Sequence, residues 1–270
     1  MARGRLITLL TDFGTSDPYV GTMKGVIHGI NPEAEVVDLG HGVSAYHILE
    51  AAFHLKVAHR YFPKGTIHVA VVDPGVGGLR RPILCEAADQ AFLAPDNGVL
   101  SYVYATTPVA RVIHLTQDRY FLTPVSRTFH GRDIFAPVAA HLSLGLAAER
   151  LGPVVEDYVR LDLPRPVRAA DGRVTGAVMH VDRFGNLITN VSQADIDAVA
   201  GRSARGTVRV RLGEDDILEL QSHFAEVGEP GRLGALIGSS GHLEIFAYRG
   251  SAAETLRAEV GSEVMVSPGS

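Results

Sequence analysis

The run Thr66-Ile67-His68-Val69-Ala70-Val71-Val72 stops abruptly at Asp73-Pro74-Gly75, and this stop constrains the fold more than any other feature of the chain. A short, nearly continuous apolar run rich in β-branched residues and closed by a turn signal reads as the clearest strand of the chain. Leu6–Leu10, Val36–Asp38 and Ala91–Leu93 read as further short strands. Helical stretches lie between and after them. Tyr19–Ile30 has Pro32 just beyond its end, and Ile48–Arg60 places Ile48, Ala52, Leu55 and His59 near one face. Another helix begins at about Val99, after the turn Pro95-Asp96-Asn97-Gly98, and a last one covers Gly131–Ser143 with Gly145 as its C-terminal cap. Strands alternating with helices predict a mostly parallel sheet covered by helices on both faces.

The pattern changes after Leu163. Pro164-Arg165-Pro166 and Asp171-Gly172 punctuate the chain, so residues 164–173 read as a linker between an α/β domain (1–163) and a second domain (174–270). The second domain holds short strands and few helices: Gly176–Val181, Leu187–Asn190, Thr207–Leu212, Ile217–Leu220, Leu233–Ile237, His242–Ala247 and Glu263–Val266. That spacing predicts a small all-β, barrel-like fold.

Composition narrows the possible roles. Of 270 residues, 46% are hydrophobic and 20% charged, enough for a core and against global disorder. The formal net charge of −5 and the lack of a basic stretch argue against nucleic acid as a partner. A single cysteine, Cys85, excludes an intrachain disulfide and a C-x-x-C metal knuckle. The apolar run Leu6–Leu10 is too short for a signal-peptide core, and no apolar stretch is long enough to span a bilayer. The expectation is a cytoplasmic protein without a membrane segment.

In a parallel α/β sheet, ligands bind beyond the carboxyl ends of the strands. Four segments put polar side chains beside glycines that allow close backbone approach: Thr11-Asp12-Phe13-Gly14, Asp73 through Arg81, Thr128-Phe129-His130-Gly131-Arg132-Asp133, and Asp182-Arg183-Phe184-Gly185-Asn186. Each also has a purely structural reading. Asp12 could cap the next helix, Asp73-Pro74-Gly75 could be a tight turn, His130 could cap a helix or fill the core, and Asp182 and Asn186 could be turn residues. Gly75-x-Gly77-Gly78 has neither the dinucleotide-binding nor the P-loop spacing, and no histidine pair has the H-E-x-x-H spacing of a zinc site.

Together these segments resemble the S-adenosylmethionine (SAM) hydroxide adenosyltransferase family, relatives of the fluorinase and chlorinase enzymes. The resemblance rests on the order and spacing of Thr11-Asp12-Phe13-Gly14, Val72-Asp73-Pro74-Gly75-Val76-Gly77, Ala94-Pro95-Asp96-Asn97-Gly98, Thr128 through Asp133, Phe184-Gly185-Asn186 and Gly241-His242-Leu243-Glu244-Ile245. It implies an α/β N-terminal domain, a β-barrel-like C-terminal domain, and a homotrimer with active sites between the N-terminal domain of one subunit and the C-terminal domain of the next. The implied reaction is hydrolysis of SAM to adenosine and L-methionine, with SAM as substrate and neither cofactor nor metal.

By the same resemblance, a water-activating set falls on Asp73, Arg80 and His130, with Arg81 adjoining Arg80. Asp12 aligns with the residue that holds the ribose hydroxyls, Asp17 with a second acidic residue on the substrate side, and Tyr46 with an aromatic of the pocket wall. Asp182 is implied for the methionine ammonium, Phe184 and Asn186 for the adenosine or methionine portion, and Ser239 for the methionine carboxylate. Where relatives carry an asparagine near the adenine, this chain reads Ala247-Tyr248-Arg249. A SAM-dependent halogenase is the nearest alternative, and a non-catalytic SAM- or adenosine-binding protein is another. Water is favoured over halide because Asp73 and His130-Gly131 replace the fluorinase's tyrosine and Tyr-Ser pair, and the long fluorinase loop is absent between Arg80 and Phe92. An anionic carboxylate repels halide, whose desolvation is already costly.

Overall fold

The computed structural model describes residues 6–202, 207–217 and 220–269. The chain divides into two compact units, Met1–Leu163 and Pro164–Ser270.

In the first unit, strands β1 (Leu6–Thr11), β2 (Glu35–Gly40), β3 (Ile67–Val71), β4 (Pro82–Ala87), β5 (Gln90–Pro95) and β6 (Val109–His114) form one sheet in the order β2-β1-β3-β5-β4-β6. The pairs β1–β2, β1–β3 and β3–β5 are parallel, whereas β4 runs antiparallel to both of its neighbours. The sheet is therefore mostly parallel, with its antiparallel pairings at one end. The helices are α1 (Tyr19–Ile30), α2 (Ile48–Ala58), α3 (Ser101–Thr106) and α4 (Ala136–Ser143).

Period-two alternation in the strands divides the apolar side chains between two cores. Ile7, Leu9, Ile67, Val69 and Val71 pack with Met23 and Ile27 of α1 and Val138 of α4. Leu10, Ala70, Ile83 and Phe92 pack on the opposite face with Leu55 of α2 and Val103 of α3. Strands β4 and β6, absent from the sequence reading, continue the sheet from the hairpin that β4 makes with β5.

In the second unit, β7 (Val167–Arg168) lies within the segment read as a linker and pairs with β8 (Val174–Val181). The remaining elements are β9 (Leu187–Ser192), α5 (Gln193–Ala200), β10 (Val208–Leu212), β11 (Asp215–Ile217), β12 (Leu233–Ile237), β13 (His242–Ala247), α6 (Ala252–Leu256) and β14 (Glu263–Pro268). Antiparallel pairing gives the order β11-β10-β14-β8-β9-β13-β12. A bridge between Leu220 and Ala235 brings the two ends of this sheet together, so it nearly closes into a barrel around Val174, Leu187, Val210, Ile245 and Val264. The expected strand Ile217–Leu220 includes residues 218 and 219, which lie outside the described residues. Helix α5 went unread although its signal is present: the Ser192 side chain accepts from the Asp195 N–H, and Asp195 accepts from the Ser192 N–H, a reciprocal cap.

One buried group makes the first unit sensitive to acid. His68, on β3, hydrogen-bonds Thr8 at 2.7 Å and stacks on Phe92. Burial, and secondarily the nearby His59, push its pKa from 6.5 down to about 3. The folded state therefore holds His68 neutral while the unfolded chain protonates it. This stabilisation is complete above pH 6.5 and is lost as pH falls towards 3. Urea denaturation should show His68 removing about 2 kcal/mol of stability between pH 7 and pH 5. His68→Gln should flatten that dependence, and an unchanged slope would mean that His68 does not cause it.

Candidate functional site

Thr11 of β1 is in register with Val71 of β3, so the loops that carry Asp12 and Asp73 leave the sheet side by side at its carboxyl edge. Asp12 does not cap a helix. Pro18 precedes α1 without a side-chain cap, and the Asp12 carboxylate accepts the Tyr46 N–H at 2.8 Å. Tyr46 takes a left-handed conformation (φ 67°) and is exposed. The Thr11 hydroxyl meets His41 Nδ1 at 2.9 Å, while His41 Nε2 lies 3.0 Å from Asp38. Asp17 is exposed on the loop before α1.

Asp73 and Arg80 form a buried pair. Arg80 Nε donates to the Asp73 oxygens at 3.1 and 2.9 Å, and its Nη2 donates to Asp73 as well. Their side chains are 4% and 9% exposed, values that place the pair out of solvent and leave the charges dependent on each other. The same Nη2 meets His130 Nδ1 at 2.6 Å. Arg81 points elsewhere: it pairs with Asp96 and Asp157, and Asp96 also accepts the Val159 N–H. Its role is to strap the loop after β5 to the segment near residue 158. Asn97, in the same motif, donates to the Val72 carbonyl at 2.8 Å and so braces the start of the Asp73 loop.

Gly77 brings His130 within reach of Arg80. It has φ 74°, and a Cβ there would lie 2.0 Å from the Arg127 carbonyl oxygen. Only glycine allows the Asp73 loop to approach the backbone that leads into His130. Gly131–Phe135 then winds as a single π-helical turn ahead of α4, a feature often found at functional sites. Asp133, fully buried, accepts the Ser126 N–H and the Arg132 guanidinium and holds the preceding loop. Edge-to-face contacts among Phe13, Tyr19 and Phe129 tie the Asp12 loop to the His130 segment.

This geometry sets the chemistry of His130. A guanidinium only donates, so Nδ1 must accept, and the neutral ring carries its proton on Nε2. Burial first, and then the Arg80 charge, lower the His130 pKa, against smaller opposing effects of Asp73 and Asp133. The imidazole is thus held neutral with an N–H donor on Nε2.

In the second unit, Asp182, Phe184, Asn186 and Ser239 line one cleft of about 790 Å³, together with Glu244 and Tyr248. Asp182 Oδ1 accepts the N–H groups of Phe184 and Asn186, and Oδ2 accepts the Asn186 side-chain amide at 3.0 Å. The turn reading and the site reading of Asp182 therefore coexist. Gly185 (φ 79°) closes the turn against Ser251, where a Cβ would lie 2.1 Å from the hydroxyl. Phe184 is 74% exposed and so presents an apolar face to a ligand or partner. Tyr248 and Arg249 also line the cleft.

Comparison with known proteins bears on both units. A family model described as the SAM hydroxide adenosyltransferase N-terminal domain matches residues 7–152, and one for the C-terminal domain matches residues 176–265. A curated relative from Thermus thermophilus, named (R)-S-adenosyl-L-methionine hydrolase, is 38% identical over 96% of this chain and 98% of its own length. A fluorinase from an Actinoplanes species is more distant, at 26% identity over 89% of this chain and 90% of its own. A crystal structure of an uncharacterized conserved protein from Thermotoga maritima superposes with a TM-score of 0.90 at 37% identity, covering 97% of this chain and 99% of that one.

Replacing Arg80 with alanine leaves Asp73 buried and unpaired, which should lower the unfolding free energy by about 3–5 kcal/mol. Adding Asp73→Asn should recover part of that loss, because no isolated charge then remains buried. Chemical denaturation of both variants checks this, and no recovery in the double variant would show that Asp73 does not depend on Arg80.

Proposed function

The chain belongs to the SAM hydroxide adenosyltransferase family, and from that premise we propose that it hydrolyses SAM to adenosine and L-methionine. The observation that carries this reading is the junction of Asp73, Arg80 and neutral His130 on one guanidinium, at the carboxyl edge of the sheet and beside Asp12.

The substrate is already activated, since its sulfonium leaves as a neutral thioether. What the protein supplies is a nucleophile held in line with C5′. In this reading, His130 Nε2–H donates to the oxygen of a single water, and Asp73 accepts one of that water's hydrogens. Arg80 fixes both side chains. The water oxygen bonds to C5′ as the C5′–S bond breaks with its electron pair passing to sulfur. The surplus proton leaves through Asp73 to solvent. A general base contributes typically about 10²–10⁴-fold, so positioning supplies much of the remainder.

Asp12 takes the ribose hydroxyls, because a carboxylate accepts two hydrogen bonds from a vicinal diol. Asp17 is a second acidic residue on the substrate side, and Tyr46 forms part of the pocket wall against the ribose or the sulfonium. Asp182 takes the methionine ammonium, Ser239 its carboxylate, and Phe184 and Asn186 flank the adenosine or methionine portion. SAM serves as substrate, with no cofactor or metal required. The two sets of residues meet in a homotrimer, the N-terminal unit of one subunit facing the C-terminal unit of the next. Exposed Tyr46, Leu79 and Phe184 beside the two sets support such an interface. The protein works in the cytoplasm, in keeping with a single buried cysteine. Among the described residues no helix is long and apolar enough to cross a membrane.

Incubation with SAM and excess chloride should yield adenosine; 5′-chloro-5′-deoxyadenosine would instead identify a halogenase. Asp73→Ala, Arg80→Ala and His130→Ala should each lower kcat by about 10²-fold or more while substrate binding changes little. Because His130 must be neutral, kcat/KM should fall on the acid side with a midpoint below 6.5. A rate that rises as pH falls through that range would exclude a neutral His130.

A further inference from the structure

Strand β13 alternates between two surroundings. Leu243, Ile245 and Ala247 enter the barrel core, whereas Glu244 faces the cleft that also holds Asp182 and Asn186. Glu244 is 9% exposed and sits in register between Leu236 of β12 and Ile188 of β9, a costly place for a carboxyl group. Among the described residues no lysine, arginine or histidine forms an ion pair with it. The fold nevertheless makes room for the group: a Cβ at Gly238 would lie 2.2 Å from Glu244 Oε2, so glycine is needed where the carboxyl crosses the backbone. The Asn186 side-chain amide donates to Asp182 at 3.0 Å, and Asn186, Asp182 and Glu244 line the same cleft. Burial, and then the Asp182 charge, raise the Glu244 pKa, while the Asn186 hydrogen bond partly offsets them. His223, Tyr248 and Arg249, whose guanidinium lies over the Tyr248 ring, are the other charged or titratable residues that line the cleft.

Among the described residues neither of the two carboxyl groups in this cleft forms an ion pair, and the substrate of the proposed reaction brings a cation. We propose that Glu244 is a specificity-determining residue that, with Asp182, forms a two-carboxylate anchor for the α-ammonium group at the amino-acid end of the substrate. This inference rests on the hydrolase reading and extends it by a residue which that reading does not use. An ammonium group has three N–H donors, and Asp182 already accepts three hydrogen bonds within its own turn. A second acceptor is therefore needed to satisfy the group, and Glu244 supplies it. With the cleft empty, burial and the Asp182 charge both disfavour the Glu244 anion, and an arriving ammonium offsets both.

The test is steady-state kinetics with SAM and with its deaminated analogue, in which hydrogen replaces the α-ammonium. In Glu244→Gln, KM for SAM should rise about tenfold, equivalent to roughly 1.4 kcal/mol, with a much smaller change in kcat. The preference for SAM over the analogue should shrink by the same factor. The wild-type KM should rise between pH 7 and pH 5, and this rise should be absent in Glu244→Gln, a readout that a merely structural role would not move. Gly238→Ala, which pushes the carboxyl aside without removing it, should also raise KM and carries the test if Glu244→Gln fails to fold. If the wild-type protein turns over SAM but both variants keep its KM and its discrimination, the anchor is wrong and the hydrolase reading stands. If the wild-type protein does not turn over SAM, both fall.

Discussion

Much of the first unit's chemistry depends on a single buried ion pair. Asp73 and Arg80 are almost fully removed from solvent, so neither charge is tolerable without the other. That dependence fixes the guanidinium, and the fixed guanidinium in turn settles the tautomer and charge of His130, because Arg80 can only donate to Nδ1. Loop shape, side-chain orientation and protonation state are thus consequences of one contact. Its supports are equally specific. Gly77 allows the approach to Arg127, Asn97 holds the Val72 carbonyl, and Arg81 straps the neighbouring loop through Asp96 and Asp157.

The second unit solves a different problem. Its barrel consumes the apolar side chains of alternate strand positions and leaves a largely apolar cleft into which a few polar groups, Asp182, Asn186, Ser239 and Glu244, are set. Asp182 braces the turn that presents Phe184 and Asn186, so the residue that shapes the cleft also contributes to its charge. Glu244 shows the same economy at mid-strand, where burial among Leu236 and Ile188 raises the energy of its anion until a cation or a proton offsets it.

Much of this architecture was legible in the chain itself. The bounds of α1, β12 and β13 follow from local periodicity and from the glycine and proline punctuation beside them. Strands β4 and β6 were not legible, since they are antiparallel additions to a sheet whose signature is parallel. Helix α5 carried a legible cap at Ser192 and Asp195, hidden among short β-like runs. Among the candidate site residues, the family motifs pointed to Asp73, Arg80, His130, Asp12 and the Asp182 turn, whereas Glu244 looked like one more residue of a buried strand.

The sequence by itself determined the alternation of elements and the polar glycine-bearing loops that follow the strands. These depend on periodicity and turn chemistry within a few residues. Tertiary structure alone decided that one guanidinium touches both Asp73 and His130, that Arg81 turns instead to Asp96 and Asp157, and that buried Glu244 lines the cleft of Asp182. The physical reason is that such contacts depend on how closely distant backbones can approach and on which charges burial forces together. Both are properties of packed loops and strands, and no local pattern carries them.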